Sequence, residues 1–164
     1  MRKNTNSLVM NAILAAMYVV VTAVIAPFGF TNVQFRVSEL FNHLVVFNKK
    51  YFYGIALGVF IANLLFSPMK AYDLTLGVGH TILSLLITMF ICKYVKNLYA
   101  KLVINALVFT GMSWIIALEL NLAFEAPFLF TYLTVGLGEL VVLLVAIPLV
   151  IALNKKIDFK TFIK

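Results

Sequence analysis

Charged residues interrupt this sequence at intervals close to the thickness of a lipid bilayer. Residues 8–27, 51–69, 74–92 and 102–118 contain no Asp, Glu, Lys or Arg, and 128–153 contains Glu139 alone. A helix needs ~20 apolar residues to cross the ~30 Å hydrocarbon core, and each of these runs is close to that length. Another apolar run, 40–47, is short and reaches spanning length only if 33–38 join it, which puts Arg36 and Glu39 at its start. The spacing predicts six helices, over 7–27, 33–48, 51–68, 73–92, 101–118 and 128–153, with half-insertion as the alternative for the second.

Composition removes the competing classes. The chain is 63% hydrophobic and 12% charged, with a mean hydropathy of +1.05. Soluble domains run nearer 45–50% apolar and about a quarter charged, and they keep roughly a third of their unfolded surface in water. A soluble enzyme, a nucleic-acid-binding domain and a disordered chain are therefore excluded, and the expected class is an all-α integral membrane protein forming a single transmembrane domain over 1–164. The net charge of +7 reads as topology, because basic residues gather at the cytoplasmic ends of membrane helices. Arg2, Lys3, Lys49, Lys50, Lys93, Lys96, Lys101, Lys155, Lys156, Lys160 and Lys164 fall on one side of a six-helix arrangement, and only Arg36 and Lys70 fall opposite. Both termini are thus expected in the cytoplasm. Glu39, Asp73, Glu119 and Glu125 gather towards the outer face, and Glu139 lies inside the sixth span. The short basic start at 1–6 leads into a run too long for a cleaved signal segment, so it reads as a retained first helix. The single cysteine, Cys92, gives neither a disulfide framework nor a metal signature.

Two ladders of small residues mark helix contacts, since small side chains let backbones approach in lipid. Ala12, Ala16 and Ala23 fall within about 40° of one another on the first span, and Gly54, Gly58 and Ala62 repeat every fourth residue on the third. Either ladder can serve contacts within the chain or with a partner. Polar residues form stripes as well. Asp73, Gly77, His80 and Ser84 share one side of the fourth span with Thr81 and Thr88 beside them, and Tyr132, Gly136 and Glu139 share a side of the sixth. Asn63 interrupts the third span and Glu119 ends the fifth, beyond Trp114. For Ser84, Thr88 and Asn105 the simpler reading is interhelical hydrogen bonding. For Glu139, Asp73 and Glu119 a binding role is favoured, because ionisable groups are costly at membrane depth. Phosphate-loop, zinc-protease and nucleophile-elbow motifs are absent. A His80–Ser84 nucleophile and base is a weak possibility, and neither a channel filter nor an inverted repeat is evident.

Several segments carry a family resemblance. Val33-Gln34-Phe35-Arg36-Val37-Ser38-Glu39 resembles the VQFRxSE signature of the QueT family, and Gly58 to Leu65 (GVFIANLL) is similar to its GxxIANLL element. Asp73 followed by Gly77, and YLTVGLGE over 132–139, resemble its later elements. The loop 66–72, FSPMKAY, departs from that family's Gly-rich loop, and His80 stands where a small residue is expected.

The resemblance implies the six-helix bundle of a substrate-binding (S) component of an energy-coupling factor (ECF) importer in the plasma membrane. Such a subunit is not an enzyme and needs no metal or cofactor. Its partners would be a transmembrane coupling subunit, docked on Ala12 and Ala16, and two cytoplasmic ATPases. Its ligand would be a queuosine precursor, 7-aminomethyl-7-deazaguanine. That compound has two parallel N–H donors for one carboxylate and an ammonium arm for another. Glu139, Asp73, Glu119 and Glu39 are the carboxylate candidates, and Trp114, Phe35 and Tyr132 are the stacking candidates. Asn63, Gln34 and His80 would complete the hydrogen bonds, with Arg36 either in the site or paired to Glu39 to shape the loop. An S component for another vitamin-like compound, and a structural membrane subunit without a ligand, are the alternatives.

Overall fold

The computed structural model describes residues 2–29 and 36–163. Helix α1 (Arg2–Gly29) is followed by a 3-10 helix (Val37–His43) that runs into the single turn α2 (Leu44–Phe47), and then by α3 (Tyr51–Phe66). Next, α4 (Lys70–Tyr72), a π-helical turn (Asp73–Gly77) and α5 (Val78–Ile91) form one continuous rod. A second composite rod joins α6 (Leu98–Met112) to α7 (Trp114–Phe124) at Ser113, before the long α8 (Phe128–Ile157) and the final turn α9 (Phe159–Phe162).

Among the described residues, four helices are long and apolar enough to cross a bilayer: Thr5–Ile25, Lys70–Ile91, Leu98–Phe124 and Phe128–Ile157. The helices Val37–Phe47 and Tyr51–Phe66 are apolar but shorter. At 1.5 Å per residue, the 16 residues of α3 reach about 24 Å, against the ~30 Å core. The run expected to stay helical to residue 68 stops two residues earlier, and Ser67 is extended at φ −71°, ψ 134°. The cause is Pro68, which pushes the residue before it out of the helical region.

Local chemistry sets the other boundaries. The Asn97 side chain accepts the Ala100 N–H at 3.0 Å and caps the start of α6. At the far end of the chain, Asp158 turns left-handed at φ 49° and ends α8. The chain then folds back on itself. Asn48 Nδ2 donates to the carbonyls of Lys160 (3.2 Å) and Ile163 (3.0 Å), and the Tyr51 hydroxyl donates to that of Phe159 (3.0 Å). The basic 48–51 corner and the basic tail therefore meet at one end of the bundle.

The two small-residue ladders end up in opposite places. A Cβ added to Gly54 would lie 2.7 Å from Asn11 Oδ1, and one added to Gly58 would lie 2.7 Å from Tyr18 Cβ. These glycines thus allow α3 to lie against α1, a contact sealed by Gly54 N–H donating to Asn11 Oδ1 at 2.9 Å. The facing side of α1 consists of Asn11, Leu14, Ala15 and Tyr18, all buried. Ala12 and Ala16 are exposed, on the side that also presents Leu8, Val20 and Val24.

Helix α8 shows the inversion expected of a protein in lipid. Leu129, Leu133, Leu137 and Val141 face outward, while Thr131, Gly138 and Glu139 are buried. The apolar core itself joins Leu14, Tyr18, Ile55, Val59, Leu85, Phe109 and Leu143.

Candidate functional site

The short 3-10 helix supplies the first half of a buried acid cluster. Arg36 precedes it, and three residues on Arg36 Nη1 stands 3.1 Å from Glu39 Oε1, an ion pair lying off the hydrogen-bond direction. Three residues further along, Asn42 Nδ2 donates to Glu39 Oε2 at 3.0 Å. Helix α1 steadies the segment, with Thr22 Oγ1 donating to Ser38 Oγ at 2.8 Å. Arg36 Nη2 also reaches across to α3, donating to Asn63 Oδ1 at 3.3 Å.

Asn63 links this half to the second. Its Nδ2 donates to the Asp73 carbonyl at 3.0 Å. A π turn loosens the backbone register at Asp73, and turns of this type gather at functional positions. Gly77 keeps the corner open for Asn63, since a Cβ there would meet Asn63 Nδ2 at 3.1 Å and Asp73 Oδ1 at 3.2 Å. Ser67, freed from the helix by Pro68, donates its hydroxyl to Asp73 Oδ2 and accepts the Met69 N–H at 2.9 Å.

Two further carboxyls close on this frame. Glu139 of α8 comes within side-chain interaction range of Glu39, and Glu119 of α7 within that of Asp73. Four carboxyls from four elements are thus gathered as two pairs around one guanidinium. All are nearly or fully buried, from 0% exposed for Glu119 to 5% for Asp73.

Most buried polar atoms in proteins have a hydrogen-bond partner. Here Glu139 Oε1, both Glu119 oxygens, Asn42 Oδ1 and His80 Nδ1 have none. His80 Nε2 lies 3.4 Å from the Phe109 carbonyl, with the ring set edge-on to Phe109. A carbonyl can only accept, so Nε2 carries a proton, and in the neutral ring Nδ1 is then an acceptor. Buried hydroxyls of Tyr18, Ser84 and Thr110 are unpartnered too, so the set mixes hydroxyls with acceptors, and its carboxyl oxygens are suited to N–H donors.

A second buried network behaves differently. His43 Nε2 donates to the Leu143 carbonyl at 2.9 Å, its Nδ1 accepts from Asn105 Nδ2 at 3.1 Å, and Asn105 Oδ1 accepts from Thr88 Oγ1 at 3.1 Å. Every donor in that line has an acceptor, as expected of residues that only hold helices together. Ser84, grouped with Thr88 and Asn105 on sequence grounds, has no partner for its hydroxyl. Ser84 Oγ and His80 Nδ1 are both unpartnered, so the two residues do not form a nucleophile–base pair.

Of the residues expected in the site, Arg36, Glu39, Asn63, Asp73, Glu119 and Glu139 are brought together, and His80 is buried below them. Tyr132 is half-buried and donates to the Gly111 carbonyl at 3.3 Å. Trp114 stands apart, 44% exposed at the start of α7. Gln34 and Phe35 lie outside the described residues. Asn42, Ser67 and His43 were not singled out by the sequence. Asn42 had a usable signal, sitting three residues after Glu39 on a helical segment, whereas the role of Ser67 depends on Pro68 bending the chain.

The sequence model of the family described as QueT transporter matches residues 8–155. The chain is 31% identical to the protein named queuosine precursor transporter QueT of Lactococcus lactis subsp. cremoris (strain MG1363), over 96% of this chain and 97% of that relative. No solved structure matches the chain. With its long apolar helices it is a multi-pass membrane protein, and it belongs to the QueT transporter family, a family of transporters and not of enzymes.

Proposed function

We propose that this chain is the substrate-binding component of an ECF-type importer in the plasma membrane, capturing 7-aminomethyl-7-deazaguanine from outside. The observation that carries the reading is the buried acid cluster with its unpartnered acceptors at Glu119, Glu139, Asn42 and His80. The proposed ligand is donor-rich in a matching way, with a guanine-like edge of N–H groups, a ring N–H and an ammonium arm. A carboxylate accepts such an edge through two parallel hydrogen bonds. The relative from Lactococcus lactis, named for queuosine precursors, supports the same substrate class. A purely structural subunit would gain nothing from buried carboxyl oxygens that no donor reaches.

In this reading the chain forms six spans, the two short helices included, with both termini in the cytoplasm. Segregation of the basic residues supports that orientation, as does the meeting of the 48–51 corner with the tail at one end of the bundle. The exposed Ala12 and Ala16 dock the transmembrane coupling subunit, where small residues allow close helix approach. A shallow groove of about 470 Å³ beside them is lined by Ser7, Leu8, Asn11, Ala12, Lys50, Tyr53 and Leu57. Two cytoplasmic ATPases supply the energy, and this chain hydrolyses nothing.

The test is calorimetric titration of the detergent-purified chain with 7-aminomethyl-7-deazaguanine. Sub-micromolar affinity is expected. No binding of that compound with tight binding of another vitamin-like compound would overturn the substrate while leaving the subunit class. Binding of no small molecule would overturn both.

A further inference from the structure

The two carboxyl pairs of the cluster are not equivalent. Glu39 is paired with Arg36, and that is the one Lys/Arg–carboxylate ion pair among the described residues. Asp73 and Glu119 have no such partner. Lys70, three residues before Asp73, is exposed, and the undescribed 30–35 segment contains no basic residue. Asp73 does have local donors, the Ser67 hydroxyl among them. Glu119 has none, although it is fully buried, and neither of its oxygens receives an N–H or O–H.

Arg36 is held by Glu39 Oε1 on one side and by Asn63 Oδ1 on the other. Among the described residues, no basic side chain stands within ion-pair distance of Asp73 or Glu119. A buried carboxyl is costly unless it is paired and hydrogen-bonded, and the Glu119 oxygens are left open to a charged donor.

We propose that the Asp73–Glu119 pair is a cation subsite that takes the alkylammonium arm of the ligand, while the Arg36–Glu39–Glu139 group takes its neutral heterocyclic edge. This rests on the reading of the chain as a deazaguanine-binding subunit and deepens it by assigning each end of the ligand to its own pair. An alkylammonium is charged at neutral pH, like a lysine side chain, and its three donors suit the oxygens of Glu119. The assignment makes Glu119 a specificity-determining residue. A neutral relative of the same ring, without the amine, leaves the Glu119 oxygens without a charged donor and binds less well.

The experiment compares 7-aminomethyl-7-deazaguanine with 7-methyl-7-deazaguanine, which has the same ring and no amine, on wild-type protein and on Glu119→Gln. On wild type the aminomethyl compound is expected to bind about ten- to a hundredfold more tightly, the range for a hydrogen bond to a charged group. On Glu119→Gln that preference collapses to within about threefold, through weaker binding of the aminomethyl compound, while affinity for the methyl compound is retained. A merely structural role for Glu119 would weaken both compounds together. If wild type binds both equally, or if Glu119→Gln keeps the full preference, the subsite is wrong while the deazaguanine reading stands. If wild type binds neither, both readings fall. Should Glu119→Gln not fold, the wild-type comparison alone still decides, since equal affinities overturn the assignment.

Discussion

Two buried polar networks run through this bundle, and they are finished to different degrees. The line from Thr88 through Asn105 and His43 to the Leu143 carbonyl crosses α5, α6, the 3-10 helix and α8, and each of its donors meets an acceptor. The acid cluster also crosses several elements, yet it leaves Glu119, Glu139, Asn42 and His80 with atoms no donor reaches. Polar groups in the interior of a helical bundle therefore serve two ends here. In the proposed reading, the satisfied network fixes the helices relative to one another, and the unsatisfied one is shaped for a ligand.

If this contrast is right, damage to the two networks should separate stability from binding. The largest effect is expected from Arg36→Met, which strips the guanidinium from Glu39. Breaking one side of a buried ion pair costs about 3–5 kcal/mol, so thermal unfolding in detergent should fall steeply and ligand should not rescue it fully. An unchanged melting temperature would show that Arg36 is not what sustains the cluster. Next comes Glu139→Gln. Affinity for 7-aminomethyl-7-deazaguanine should drop about tenfold or more, with melting temperature unchanged or raised, because a neutral amide is easier to bury than a carboxylate. Loss of stability without loss of affinity would place Glu139 in the structural network instead.

His43→Leu probes the other network. It leaves Asn105 Nδ2 without its acceptor, at a cost of about 1–3 kcal/mol, read as a lower melting temperature. Ligand affinity should stay within about twofold, as expected of sites that share no partner. A parallel fall in affinity would join the two networks and erase the distinction. The smallest effect on the isolated chain is expected from Ala12→Leu on the exposed side of α1. Stability should change by less than about 0.5 kcal/mol with affinity intact, while co-purification with the coupling subunit is lost. Undiminished co-purification would move the docking surface away from Ala12.

Much of the bundle was legible in the sequence because charge and hydropathy report directly on membrane helices. The long helices follow the charge-free runs, and the carboxyls that the apolar surroundings make conspicuous are the ones that gather. The pairings were not legible. Glu39 meets Glu139, and Asp73 meets Glu119, across elements far apart in the chain, and no periodicity encodes that. The short 3-10 helix and the π turn at Asp73 were hidden as well, since hydropathy is blind to a shift of register by one residue. The alanine ladder shows how small such a difference can be. Ala15 is buried against α3 and Ala16 is exposed, one residue and about 100° apart.

The most direct test of the acid cluster as a binding site is native mass spectrometry of the detergent-purified chain incubated with 7-aminomethyl-7-deazaguanine, wild type beside Glu139→Gln. A one-to-one adduct on the wild type that disappears in the variant is the predicted result. An adduct of equal abundance on both proteins, or none on either, would contradict it.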